Sequence, residues 1–209
     1  MLLFIFSCSG YRYGHPNNPL SQYGINTLAV PMFYNYSNLA AVGPEFTQET
    51  YRQLMSFSGL KLISGYSEKA DAVLIGIVRS PEKMNETLRA GSIRVAKNQT
   101  PDAIGDKRQN FYIPGSTTIQ LYLQIVLIKK PTEEEIGLFH TELAPQIPLS
   151  SRVLLNEFLP VSESFVRELM DNAGVQVLAT QNSGVQRKKI KMMAVSAAET
   201  IRDLILYAF

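Results

Sequence analysis

Little in this chain of 209 residues is suited to hold a metal, form a disulfide or cross a membrane. It has one cysteine and two histidines, and its apolar runs fall short of the roughly eighteen residues a spanning helix needs. A single cysteine excludes an internal disulfide framework. His15 lacks a Cys, His or carboxylate partner at ligand spacing, and His140 sits mid-strand without a paired acid or nucleophile, so both read as non-catalytic. There is no Gly-rich phosphate loop and no nucleophile elbow. No enzyme activity, cofactor or metal is expected. The formal net charge of +2 sets up no overall field for nucleic acid, so electrostatic recognition has to be local.

What the chain does contain is one good core. Apolar residues make up 45% of it, and its length suits a single domain, read as residues 25–209 behind a tether, 1–24, rich in Gly, Pro, Asn and Tyr. Ile25 to Ser37 reads as a strand with Leu28, Val30 and Met32 on one face and Thr27, Ala29 and Pro31 on the other. Gly43-Pro44-Glu45 starts a helix that runs to about Ser58, with Gly59 as its stop and Phe46, Thr50, Leu54 and Phe57 facing a sheet. Leu60 to Ile63 is a short strand. Asp71 to Arg79 is continuously apolar, as befits a strand covered on both faces.

Residues 80–116 carry scattered Pro and Gly with one short strand at Ser92 to Ala96, and read as a long loop. Lys107, Arg108, Phe111 and Tyr112 set charge beside aromatics near its end. From Thr117 to Lys130 the longest strand alternates, with Ile119, Leu121, Leu123, Ile125 and Leu127 against Thr118, Gln120, Tyr122 and Gln124. The Pro131-Thr-Glu-Glu-Glu stretch reads as a solvated turn, with Ile136 to Leu143 returning as a hairpin arm. Ser162 to Met170 reads as a short helix capped by Ser162. The closing helix presents Ile190, Ala194, Ala197, Ile201, Leu204 and Ala208 to the sheet. In its first turns Arg187, Lys188, Lys189 and Lys191 oppose the helix dipole, at about 0.3–1 kcal/mol each when exposed. An anionic partner there converts that cost into binding; simple solubility is the competing reading.

Met-Leu-Leu-Phe-Ile-Phe-Ser before Cys8 resembles the cleavage region of a bacterial lipoprotein signal, whose cysteine is lipidated. Seven residues precede Cys8 and none is charged, which is short for a signal. The alternative is a buried strand with Cys8 as a small hydrophobe.

Together, Cys8-Ser-Gly-Tyr-Arg-Tyr-Gly, Ile25-Asn-Thr-Leu-Ala-Val-Pro-Met-Phe-Tyr-Asn, Gly43-Pro-Glu-Phe-Thr-Gln-Glu and Ala70-Asp-Ala-Val-Leu-Ile-Gly-Ile resemble the LptE family, outer-membrane lipoproteins of Gram-negative bacteria. That family has Cys-Gly-Tyr where this chain has Cys8-Ser9-Gly10-Tyr11, and residues 144–186 have no counterpart in it. The resemblance implies an α/β two-layer sandwich, a mixed sheet of about four to five strands with two main helices packed against it. It also implies a lipid anchor through Cys8 at the periplasmic face of the outer membrane, an LptD-type β-barrel as partner, and lipopolysaccharide as ligand. Lys107, Arg108, Lys188 and Lys189 are then the candidates for the glycolipid phosphates or the barrel wall. The first strands also resemble adaptor lipoproteins that serve curli secretion or activate cell-wall synthases.

Overall fold

The computed structural model describes residues 17–81, 87–97, 110–139, 152–168 and 179–209; for 92–97, 110–113, 138–139 and 179 the description is of the backbone. Cys8, His15, Lys107, Arg108 and His140 lie outside the described residues.

The described chain opens on a 3-10 turn, Pro19–Tyr23. Asn18 caps it, accepting from the Leu20 N–H at 3.0 Å and donating to the Ile25 carbonyl at 2.8 Å. Leu20 is fully buried, so the last residues assigned to a tether belong to the core. Strand β1 (Thr27–Val30) and strand β2 (Tyr34–Tyr36) follow. The single strand expected over Ile25 to Ser37 is broken at Pro31, which has no N–H to give a ladder. Met32, expected on the same face as Leu28 and Val30, falls in the break and is 63% exposed.

Helix α1 (Val42–Leu54) places Phe46, Thr50 and Leu54 in the core at the expected spacing, with Phe57 buried just beyond its end. Pro44 sits in its first turn, where a missing N–H costs nothing. The helix stops four residues earlier than Ser58, and Gly59 then turns the chain at φ 82°. Strand β3 (Lys61–Ser64) and strand β4 (Ala72–Arg79) complete the first half. β3 and β4 both run parallel to β1, in the strand, helix, strand order the sequence implied.

Strand β5 (Leu88–Lys97) and the twenty-residue strand β6 (Asn110–Lys129) are both longer than the sequence suggested. Each half of β6 takes a different antiparallel partner on one edge, β5 along residues 110–119 and β4 along 122–129. Likewise β1 and β2 share one edge of β4. Strand β7 (Val153–Val166) covers the other edge of β6, residues 116–128. The result is an open mixed sheet five strands wide, with β3 at one edge and β7 at the other.

Two expectations fail in this second half. Thr132 and Glu135 form a reciprocal capping box, in which the Thr132 N–H donates to the Glu135 carboxylate at 2.9 Å and the Glu135 N–H to Thr132 Oγ1 at 3.2 Å. That pair starts a helix, α2 (Glu133–Phe139), where a hairpin arm was expected from Ile136 onward. Ser162 is in the middle of β7 rather than at a helix cap, because the open edge of β6 is completed by the period-two set Leu155, Leu159, Val161 and Phe165.

Helix α3 (Ala179–Ala208) has 30 residues, about 45 Å at 1.5 Å per residue. It lies with α1 on one face of the sheet. Leu28, Val30, Leu74, Val78 and the expected odd-numbered residues of β6 meet Phe46 and Leu54 from α1 and Ile190, Ala194, Ala197, Ile201 and Ile205 from α3. Ile205 takes the place expected of Leu204 and Ala208, as a 3.6-residue period drifts off a strict heptad. On the opposite face Ala29, Val73, Ile75, Ile77, Val126 and Ile128 form a smaller cluster, with Ile136 of α2 against it. Among the described residues no helix is long and apolar enough to cross a membrane.

Candidate functional site

The cations of α3 do not sit where the sequence placed them. The helix begins at Ala179, so Arg187 to Lys191 occupy its third and fourth turns, beyond the first turn in which the dipole acts on a charge. Asn182 is inside the helix and ties it to the residues just past β7. Its Oδ1 accepts from the Glu168 N–H at 2.9 Å, and its Nδ2 donates to the Glu168 carbonyl at 3.0 Å.

Helical spacing then sorts the basic residues. Lys189 leans over β7, where its Nζ lies 3.0 Å from Glu163 Oε2. Arg187, Lys188 and Lys191 are exposed, and no ion pair or hydrogen bond engages their side chains among the described residues. Of the two α3 residues singled out from sequence, Lys188 is available to a ligand and Lys189 is already engaged. Arg187 and Lys191, one helical turn apart, complete the exposed group with Lys188. The signal for them was the i, i+4 spacing.

Arg187 also faces α1. A cleft of about 380 Å3 lies between the two helices, lined by Ala40, Ala41, Glu45, Ser183, Gln186, Arg187 and Ile190. α1 starts here without a side-chain cap, from Ala41 at φ 62°. The cleft thus has the positive end of α1 and the Arg187 guanidinium on its walls, with the Glu45 carboxylate opposing them. Its chemistry is that of an anion-tolerant recess beside an exposed row of cations.

The Asp71 carboxylate has a structural role. Asp71 Oδ2 accepts from Thr27 Oγ1 at 2.7 Å, the Thr27 N–H at 2.9 Å and the Asn26 N–H at 3.0 Å. The Thr27 hydroxyl above all, then the Asn26 N–H, hold the carboxyl below its ordinary range, with help from Lys130. This clamp joins the start of β4 to the start of β1.

No protein-family model matches the chain, and no curated protein matches it in sequence. The chain is similar to several solved structures at low identity. A candidate lipoprotein from Caulobacter crescentus CB15 shares 10% identity at a TM-score of 0.42, covering 84% of this chain and 89% of that one. Rare lipoprotein B from Shewanella oneidensis shares 10% identity at a TM-score of 0.36, over 85% of this chain and 90% of that one. Lipoprotein GNA1162 from Neisseria meningitidis shares 12% identity at a TM-score of 0.35, over 78% and 96%.

Proposed function

We propose that this chain is an outer-membrane lipoprotein of the LptE kind, non-catalytic, which is anchored through Cys8, seats in an LptD-type β-barrel, and binds lipopolysaccharide on the cationic side of α3. The observation that carries this reading is the row of exposed, unengaged cations Arg187, Lys188 and Lys191 beside the α1–α3 cleft. Multiply charged phosphates are the ligands that cations so spaced attract, and desolvated contacts of this kind are worth more than exposed ones. The sequence motifs around Cys8, Ile25, Gly43 and Ala70 add the envelope context.

Lys107 and Arg108 join the proposed ligand set on their charge alone. Lys189 is assigned a different part, holding α3 to β7 through Glu163. Purified protein is expected to bind lipopolysaccharide, and Lys188→Glu with Lys191→Glu to weaken that binding by about tenfold, the loss of roughly 1.4 kcal/mol. Equal binding by the double variant removes α3 from the site. Cys8→Ala, in a form carrying a complete signal, is expected to move the protein from the membrane to the soluble periplasmic fraction, and membrane retention contradicts the anchor. Crosslinking in cells separates the partners: an outer-membrane barrel is expected, whereas a cell-wall synthase or a curli pore supports the adaptor reading instead.

A further inference from the structure

β7 is an edge strand with a groove built along it. Arg167 N donates to Gly115 O at 2.9 Å, in step with the pairing of Ser116 with Val166. Antiparallel ladders alternate between hydrogen-bonded and open pairs. It follows that residues 157, 159, 161 and 163 bond to β6, whereas the backbone groups of Asn156, Phe158, Pro160, Ser162 and Ser164 point away from it. Pro160 therefore costs the sheet no donor, and no hydrogen bond among the described residues satisfies the outward groups of its neighbours.

A recess of about 370 Å3 lies against this edge, bounded by residues 159–163 and by Met193, Ser196, Ala197 and Thr200 of α3. Five successive residues of β7 line it, so the recess runs along the strand between β7 and α3. The helix residues are spaced i, i+3, i+4 and i+7, one face of α3, and three of them are small. α3 runs antiparallel to β7, since Asn182 is tied to Glu168 and Lys189 to Glu163. The Lys189–Glu163 pair closes one end of the groove. Toward the other end stands Glu157, exposed and without an ion-pair partner among the described residues.

We infer that this groove takes an extended segment of a partner protein by strand addition, with main-chain hydrogen bonds to the outward groups of β7, a small apolar side chain in the recess beside Ala197, and a basic residue at Glu157. An edge strand beside a helix offers the backbone bonds and the side-chain pocket that strand addition uses. A second copy of this chain fits less well. Twofold pairing about Pro160 sets the two prolines opposite each other and Glu157 opposite Glu163, a like-charge pair that destabilises a sheet. The inference uses β7 and the far half of α3, and stands or falls apart from glycolipid binding.

The test is selection of a displayed library of random dodecapeptides on the full chain. Enriched peptides are expected to alternate apolar residues and to carry Lys or Arg near one end. Thr200→Trp, which fills the recess, should weaken the best synthetic peptide by roughly tenfold or more. Ser162→Pro, which removes one outward N–H and leaves the β6 ladder intact, should weaken it about fivefold. Glu157→Lys should also weaken it, and the Phe158, Ser162 and Ser164 amides should gain exchange protection with peptide bound. No enrichment, or equal binding by Thr200→Trp folded as judged by circular dichroism, overturns the inference. So does a concentration-dependent dimer of the wild type that Thr200→Trp abolishes, which assigns the groove to a second copy.

Discussion

Gly76 and Asp71 show how far single residues set this fold. A Cβ at Gly76 would lie 2.3–2.5 Å from the ring atoms of Phe33, so the central strand has room for that ring only because position 76 has no side chain. Gly76→Ala is expected to destabilise the protein by about 1–3 kcal/mol, the cost of overpacking a core. Phe33→Ala costs more on its own, about 3–5 kcal/mol, and the double variant should fall well short of the sum in urea titrations. Asp71 gives the acid limb of stability. Its folded pKa is depressed, so the stability it contributes is complete above the ordinary aspartate value of about 3.9 and is lost as pH falls through the lower folded value. Asp71→Ala should cost stability at pH 7 and flatten the wild-type loss below about pH 4, read by thermal melts taken down the acid range. Neither residue was legible as special in sequence. Gly76 looked like one more member of an apolar run, and the Asp71 partners are 44 and 45 positions away.

Elements marked by hydrophobic period came through, and those that depend on distant partners did not. α1 and the helix-facing side of β6 follow from periodicity alone, since Phe46, Thr50 and Leu54 and the odd-numbered residues from Ile119 to Leu127 are buried as their spacing requires. β7 did not follow, because Glu157 and Glu163 interrupt its apolar period-two set, and its strand state comes from the open edge of β6. α2 was legible in principle: the Thr132-x-x-Glu135 box is a helix start written in four residues, but three adjacent glutamates suggested a turn. At this scale Lys189 and Lys188 should separate. Lys189→Ala loses the partly buried pair with Glu163, with side chains 25% and 31% exposed, and should lower stability by about 0.5–1 kcal/mol. Lys188→Ala should leave it unchanged, both variants being read by urea titration. Thr132→Ala should fray α2, costing about 1 kcal/mol.

As a whole, the described molecule is a sheet with its two long helices on one face and β3 and β7 at its edges, and α3 carries a run of exposed cations along one stretch. The sequence conveyed the layers and the two main helices because each rests on hydrophobic period. It did not convey the sorting of the α3 cations, since the helix starts eight residues before Arg187 and the choice of which lysine meets Glu163 depends on how α3 crosses β7. The proposed glycolipid surface rests on that sorting, with Arg187, Lys188 and Lys191 exposed and Lys189 paired to Glu163. The most direct measurement is lipopolysaccharide binding to the purified wild type and to the Lys188→Glu, Lys191→Glu double variant across a salt series. Weaker binding by the variant, with a shallower salt dependence and an unchanged melting temperature, is the predicted result; the same affinity and the same salt dependence for both proteins would contradict it.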